Sequence, residues 1–285
     1  MRLSCEQRWK QLLSAVVLGA VFQCEADCGS APPLARDRNV QVFEQRQGSR
    51  VTLIARLTNC TEATITVTMS LVNMAASATL PVTVDAKGRS LFGLVTIQVI
   101  DPNQPFQYHY DYKWRPGRRA GAMINSFVYA LPYVEESCRV LQGPLGTFSH
   151  QVGSDSENAI DFGMPVGRKV CAAREGTVVA FWQDSDIGGS DPTNRPYANY
   201  VVVAHDDGTF AEYVHLKKNG VLVKLGQKIQ MHDALALSGN TGYSSGPHLH
   251  FGVFRNLDGK NRITIPIQFT TKAGGISSLM AGQTY

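Results

Sequence analysis

Residues 238–254 read SGNTGYSSGPHLHFGVF, a glycine-rich loop running into a short alternating stretch. Successive side chains of a β-strand face opposite ways, so in His248-Leu249-His250 the two imidazoles share one face about 6.6 Å apart, while Leu249 enters the core. Such a pair can grip one metal ion, or set one ligand beside one proton-transfer group. Gly239, Gly242 and Gly246, with Pro247, give the backbone a tight approach to this strand that a merely buried histidine would not require.

Upstream, residues 200–216 (YVVVAHDDGTFAEYVHL) read as a strand, a turn at Asp206-Asp207-Gly208 and a returning strand. Alternation on the returning strand puts His215 on the face of Tyr213 and Ala211. Further upstream, residues 157–181 (ENAIDFGMPVGRKVCAAREGTVVAF) carry Asp161 at an apolar strand start, where a carboxylate needs a partner or a metal. Cys171, inside the same pattern, reads as a buried thiol. His205 reads as a strand-end group, His232 occupies a turn position where glycine is more usual, and His109 points away from its aromatic neighbours; none of these three is read as a ligand.

The amino-terminal half has its own period-two pattern: Val40 and Val42, Val51 and Leu53, Ile65, Val67, Met69 and Leu71, then Val82 and Val84. Short alternating runs separated by turns such as Asp85-Ala86-Lys87-Gly88 predict a small antiparallel sandwich. Residues 106–114 (FQYHYDYKW) put Phe106, Tyr108, Tyr110, Tyr112 and Trp114 on one face, a row that closes the sandwich or packs on the next domain. Residues 115–121 (RPGRRAG) then break the pattern and read as a linker or exposed turn.

Composition narrows the function classes. Charged residues make up 18% of the 285-residue chain, below the usual ~25%, and 44% are hydrophobic, so an ordered core is expected. The net charge of +4 is small and comes without a run of like charges, giving nucleic-acid binding no support. Six cysteines show no paired zinc-ribbon spacing. Arg2, Arg8 and Lys10 precede the apolar run 12–22, the pattern of a secretory signal peptide with cleavage after Ala26. That run is too short to span a bilayer, and Gln23 before Cys24 argues against lipid anchoring. The expectation is an exported protein, periplasmic or secreted, with no membrane span.

In GNTGYSSGPHLHF, YVHL, AIDFGMPVGRKVCAAREGTV and LVKLGQKIQMHDALALSG the chain resembles the lysostaphin and LytM-type zinc metallopeptidases that cut peptidoglycan peptides. The resemblance covers about residues 130–270. It implies a LytM-like peptidase domain of duplicated hybrid motif at 130–270; with the alternating strands before it, the expected fold is all-β and mainly antiparallel, with a β-sandwich of unknown role at 36–118, a linker at 119–129, this domain, and a tail at 271–285. It further implies one Zn2+, with Asp161 and His250 as ligands and His215 and His248 flanking the metal-bound water in proton-transfer roles. The family's other ligand is a histidine four residues before the aspartate; here that position holds Glu157. His150, eleven residues before Asp161, is assigned as the third ligand, with Glu157 the alternative. The implied activity is hydrolysis of peptide bonds in peptidoglycan stem or cross-link peptides. The rival is a degenerate relative that binds the wall or activates another wall hydrolase, with a regulatory protein of the cell envelope as a further partner.

Overall fold

Alternating apolar residues build strands along much of the described chain. The computed structural model describes residues 39–88, 91–119, 121, 127–134, 137–271 and 274–285. The predicted signal peptide, Cys24, Cys28 and residues 122–126 of the predicted linker lie outside the described residues. Among the described residues no helix is long and apolar enough to cross a membrane.

The amino-terminal strands form two sheets. Val40–Gln47, Arg50–Leu57, Leu91–Val99 and Met74–Ala76 make one; Val82–Lys87, Glu62–Val72 and Gln107–Pro116 make the other. Their inward residues, among them Leu53, Ala55, Ile65, Val67 and Trp114, are buried together, as the alternation requires. The aromatic row divides along its length: Trp114 is buried, Tyr110 and Tyr112 pack partly buried behind it, and Phe106 lies exposed before the strand begins. Val82–Lys87 extends through most of the expected turn, because Ala86 is an inward, fully buried residue.

The larger sheet is antiparallel throughout. Its strands run Lys228–Ile229, Gly176–Trp182, Tyr200–Ala204, Phe210–Val214, His248–Asn256, Ile160–Gly163 and Val140–Gln142, with Arg262–Thr264 beside His248–Asn256. One face buries Val201, Val203, Ala211, Tyr213, Leu249, Phe251 and Phe162 in the main core. The opposite face is shared. Val202, Phe210 and Phe254 pack into the same apolar cluster as the sandwich residues, whereas His248 and His250 lie further along it. The sandwich therefore covers one end of the sheet face whose other end carries the histidines.

One expectation changes here. Arg115 is not in an exposed turn. It ends the Gln107–Pro116 strand, is 7% exposed, pairs with Asp155 at 2.6 Å and donates to the Lys260 carbonyl, so it joins the two β regions. The residues after 271 are likewise tied in: Ile276–Ser277 pairs with Phe269 and Thr270, and Tyr285 exchanges backbone hydrogen bonds with Cys138.

Gly117, at the joint, has φ +84°, and a Cβ there would collide with the buried Phe210 ring. Gly117→Ala is expected to cost about 1–3 kcal/mol of stability, read as a lower urea midpoint. An unchanged midpoint would mean that the joint is not tightly packed.

Candidate metal centre

Antiparallel register sets the first pair: Asp161 lies directly opposite His250. Their side chains share a face, and the Asp161 Oδ1 to His250 Nδ1 distance is 2.9 Å. His150 enters from the loop after Val140–Gln142 and is fully buried, its Nε2 3.3 Å from Asp161 Oδ1 and 3.4 Å from His250 Nδ1. The ligand atoms of His150, Asp161 and His250 all fall within 4.8 Å of one another. Four ligands at ~2.0–2.1 Å around a tetrahedral ion stand about 3.3 Å apart, so these separations and the two-imidazole, one-carboxylate donor set fit a zinc-sized cation.

The surroundings choose the ligand atoms. His150 Nδ1 lies 3.0 Å from the Gly143 carbonyl, which can only accept, so Nδ1 carries the proton and Nε2 is left for a metal. His250 directs Nδ1 at Asp161 and places Nε2 3.7 Å from Glu212 Oε1. Glu212 is in turn clasped by Arg262 at 2.6 and 2.8 Å. The second oxygen of Asp161 accepts from Gln142 Nε2 at 3.1 Å, and Gln142 Oε1 receives the backbone N–H groups of Phe148 and Ser149, fixing the loop that leads to His150.

Electrostatics make this a charged cluster. Burial pushes Asp161 up, but hydrogen bonds from His150 and His250 outweigh it and hold the carboxyl well below its usual range. Burial pushes His250 down, yet Asp161 and Glu212 together raise it to about 9. A cation arriving at Nδ1 therefore displaces a proton. Glu212 is pushed up by burial and more than compensated by Arg262 and His250, ending far below the normal carboxylate range.

His215 and His248 stand across from these three, with ring centroids 4.5 Å apart; His215 is 6.0 Å from His250, and His248 Nε2 is 3.8 Å from Asp161 Oδ1. Each donates Nδ1–H to a carbonyl, His215 to Thr241 at 2.6 Å and His248 to Gly246 at 2.8 Å, leaving Nε2 unprotonated. Burial, with the neighbouring His248 and His250, lowers His215 to about 3. Burial lowers His248 as well. Burial therefore keeps both imidazoles neutral at neutral pH, with Nε2 free as a hydrogen-bond acceptor.

The structure places His215 differently from the alternation argument. The strand ends at Val214, which is opposite His250, so a further extended residue would point to the Tyr213 face. Instead His215 has φ +65°, which turns its ring back to the His250 face. The glycine loop also differs in detail: a Cβ at Gly242 (φ +80°) would collide with Ala198, whereas one at Gly246 would meet open space.

The remaining assignments separate cleanly. Glu157 lies outside the cluster; its carboxylate accepts the Gly153 N–H, and its carbonyl the Leu145 N–H, which ties the loop carrying His150. His205 donates to the Glu175 carbonyl and is held near 4 by burial. His232 has φ +73°, and His109 is exposed. Sequence reasoning missed Gln142, Glu212 and Arg262. Only Glu212 left a trace, as a charge within the apolar FAEYV strand on the His250 face.

Two cavities flank the cluster. One, about 280 Å³, reaches the sandwich; the other, about 840 Å³, runs past Phe148, Pro247 and Met280, and both are bordered by His215, His250, Ser149 and Tyr243. The geometry is that of a buried donor set opening on a groove.

Residues 155–262 match the sequence profile of peptidase family M23. The chain carries an M23 peptidase domain. The match contains Asp161, His215, His248 and His250 and begins after His150. The peptidoglycan DD-endopeptidase ShyA of Vibrio cholerae is 42% identical over 95 residues, 33% of this chain and 19% of that protein. The glycyl-glycine endopeptidase ALE-1 of Staphylococcus capitis is 31% identical over 131 residues, 45% of this chain and 33% of that one. The matches span from about a fifth to a third of these curated relatives. The catalytic domain of lysostaphin from Staphylococcus simulans aligns at 22% identity with a TM-score of 0.31, covering 45% of this chain and 87% of that structure.

The Glu212 contact is testable in the M23 domain by metal binding alone. Glu212→Gln is expected to weaken Zn2+ affinity about 10–100-fold in a chelator competition, because Nε2 of His250 loses its carboxylate. Unchanged affinity would show that the 3.7 Å contact does not orient the ring.

Proposed function

We propose that this protein is a zinc-dependent endopeptidase hydrolysing peptide bonds in peptidoglycan stem or cross-link peptides. The observation that carries the reading is the convergence of His150 Nε2, Asp161 Oδ1 and His250 Nδ1, at mutual distances of 2.9 to 3.4 Å, beside two neutral imidazoles. The M23 match and the activities for which ShyA and ALE-1 are named support the substrate class. In this reading the signal peptide delivers the protein to the periplasm or the exterior, where the wall is.

His150, Asp161 and His250 would hold the zinc ion, with a fourth position left for water. The bound ion would supply Lewis acidity, polarising the scissile carbonyl and bringing the pKa of water from 15.7 toward ~7. His215 and His248 do the proton work. Their unprotonated Nε2 atoms accept the proton released as water adds to the carbonyl and return it to the departing amine. Once protonated, an imidazolium at this place also hydrogen-bonds the oxyanion. Thr241 and Gly246 keep both rings in the tautomer this requires, and Gln142 holds Asp161 by its outer oxygen.

Ligand and proton-transfer roles separate by mutation. His150→Ala is expected to lose stoichiometric zinc together with amine release from purified peptidoglycan, while Glu157→Ala keeps both. Zinc retained in His150→Ala and lost in Glu157→Ala would reverse the ligand assignment.

His248→Ala is expected to keep its zinc and lose at least about 10²-fold in turnover. Chelation of the wild type should abolish amine release, and added Zn2+ should restore it. Wild-type protein that binds zinc, remains folded and releases no amines would contradict the proposed activity.

A further inference from the structure

We infer that the smaller cavity beside the metal centre is a subsite for a peptide residue carrying a free carboxylate, which Arg195 reads. This rests on the peptidase reading above and names the substrate chemistry on one side of that site. The cavity is bounded at one end by His215 and His250 and at the other by Trp114 and Arg115 of the sandwich. A peptide lying across the metal centre in this direction meets the sandwich wall after a short distance, since about 280 Å³ admits only a small piece of chain.

The charges within the cavity decide what that piece carries. Three guanidinium groups line it, and two are satisfied internally. Arg115 pairs with Asp155 at 2.6 Å and donates to the Lys260 carbonyl. Arg262 holds Glu212 through two nitrogens and also donates to the Asp155 carbonyl. These pairs also offset the charges of Asp155 and Glu212.

Arg195 is different. It comes from the short 3-10 turn Pro192–Tyr197, is exposed, and has no carboxylate partner among the described residues. Its guanidinium instead lies over the Tyr243 ring, 5.2 Å from the centroid. Tyr243 is itself stacked on Phe148 at 5.6 Å. Stacking restricts the arginine before any ligand arrives, so less side-chain freedom is lost on binding. A planar fork of N–H donors, restricted but without an acidic partner, is complementary to a carboxylate.

Binding to metal-free protein tests this without hydrolysis. The probes are diacetyl-L-lysyl-D-alanyl-D-alanine and its carboxy-terminal amide. Each is titrated into chelator-treated full-length protein, so that no metal captures the carboxylate. Binding is followed by NMR through the Trp114 indole N–H and the Tyr243 ring. The acid is expected to bind about tenfold or more tightly than the amide. Arg195→Gln should remove that difference, and Arg195→Lys should restore part of it. Equal binding of acid and amide, a preference that survives in Arg195→Gln, or no binding of either peptide would each overturn the subsite. Because no bond is cut, a wild-type protein that bound the acid through Arg195 yet failed to hydrolyse peptidoglycan would refute the peptidase reading and leave the carboxylate site standing.

Discussion

The pairing of Asp161 with His250 across two antiparallel strands is the constraint on which the rest of the centre depends. A one-residue slip of either strand would send its member of the pair to the opposite face, into the cluster of Phe162, Leu249 and Phe251. The apolar residues on either side therefore enforce the polar geometry: Leu249 and Phe251 cannot be exposed, so His248 and His250 must face the groove. A buried carboxylate is costly unless paired, and Asp161 is paired three ways, with His150, His250 and Gln142. This makes the donor set a preorganised cluster, with the loop ending in His150 pinned by the same glutamine that steadies Asp161.

The same sheet face explains why the sandwich matters to the centre. Phe210, Phe254 and Val202 continue the His248–His250 face and are covered by Trp114 and its neighbours. From this joint a chain of contacts leads inward, from Arg115 to Asp155, to Arg262, to Glu212 and so to His250. The amino-terminal half thus both seals the apolar end of the sheet and closes one side of the groove. Under the proposed function, this wall would limit how much peptide lies on that side of the centre, a steric basis for selectivity independent of the chemistry there.

Legibility in the sequence tracked the range of the interaction. The His-Leu-His pair and the buried Leu249 are set by local alternation, and so is the sandwich. His215 defeated the same rule because a single left-handed residue reverses its face, and the sequence YVHL carries no mark of that φ. His150 came from the family resemblance, since nothing local distinguishes it from an exposed loop residue; its burial depends on Gly143, Gln142 and a loop tied by Glu157. Gln142 and Arg262 gave no signal, because their partners lie 19 and 50 residues away in the chain. The burial of Arg115 was hidden for the same reason: a basic, proline-containing stretch looks like a linker until Asp155 and Lys260 are placed beside it.

The central claim is that His150, Asp161 and His250 form one metal-binding unit. A crystal structure of the zinc-loaded protein tests it most directly. The account predicts one zinc ion bound by His150 Nε2, an Asp161 oxygen and His250 Nδ1 at about 2.0–2.2 Å, with Glu157 still on its own loop. Zinc coordinated by Glu157 in place of His150, or found away from Asp161 and His250 altogether, would contradict it.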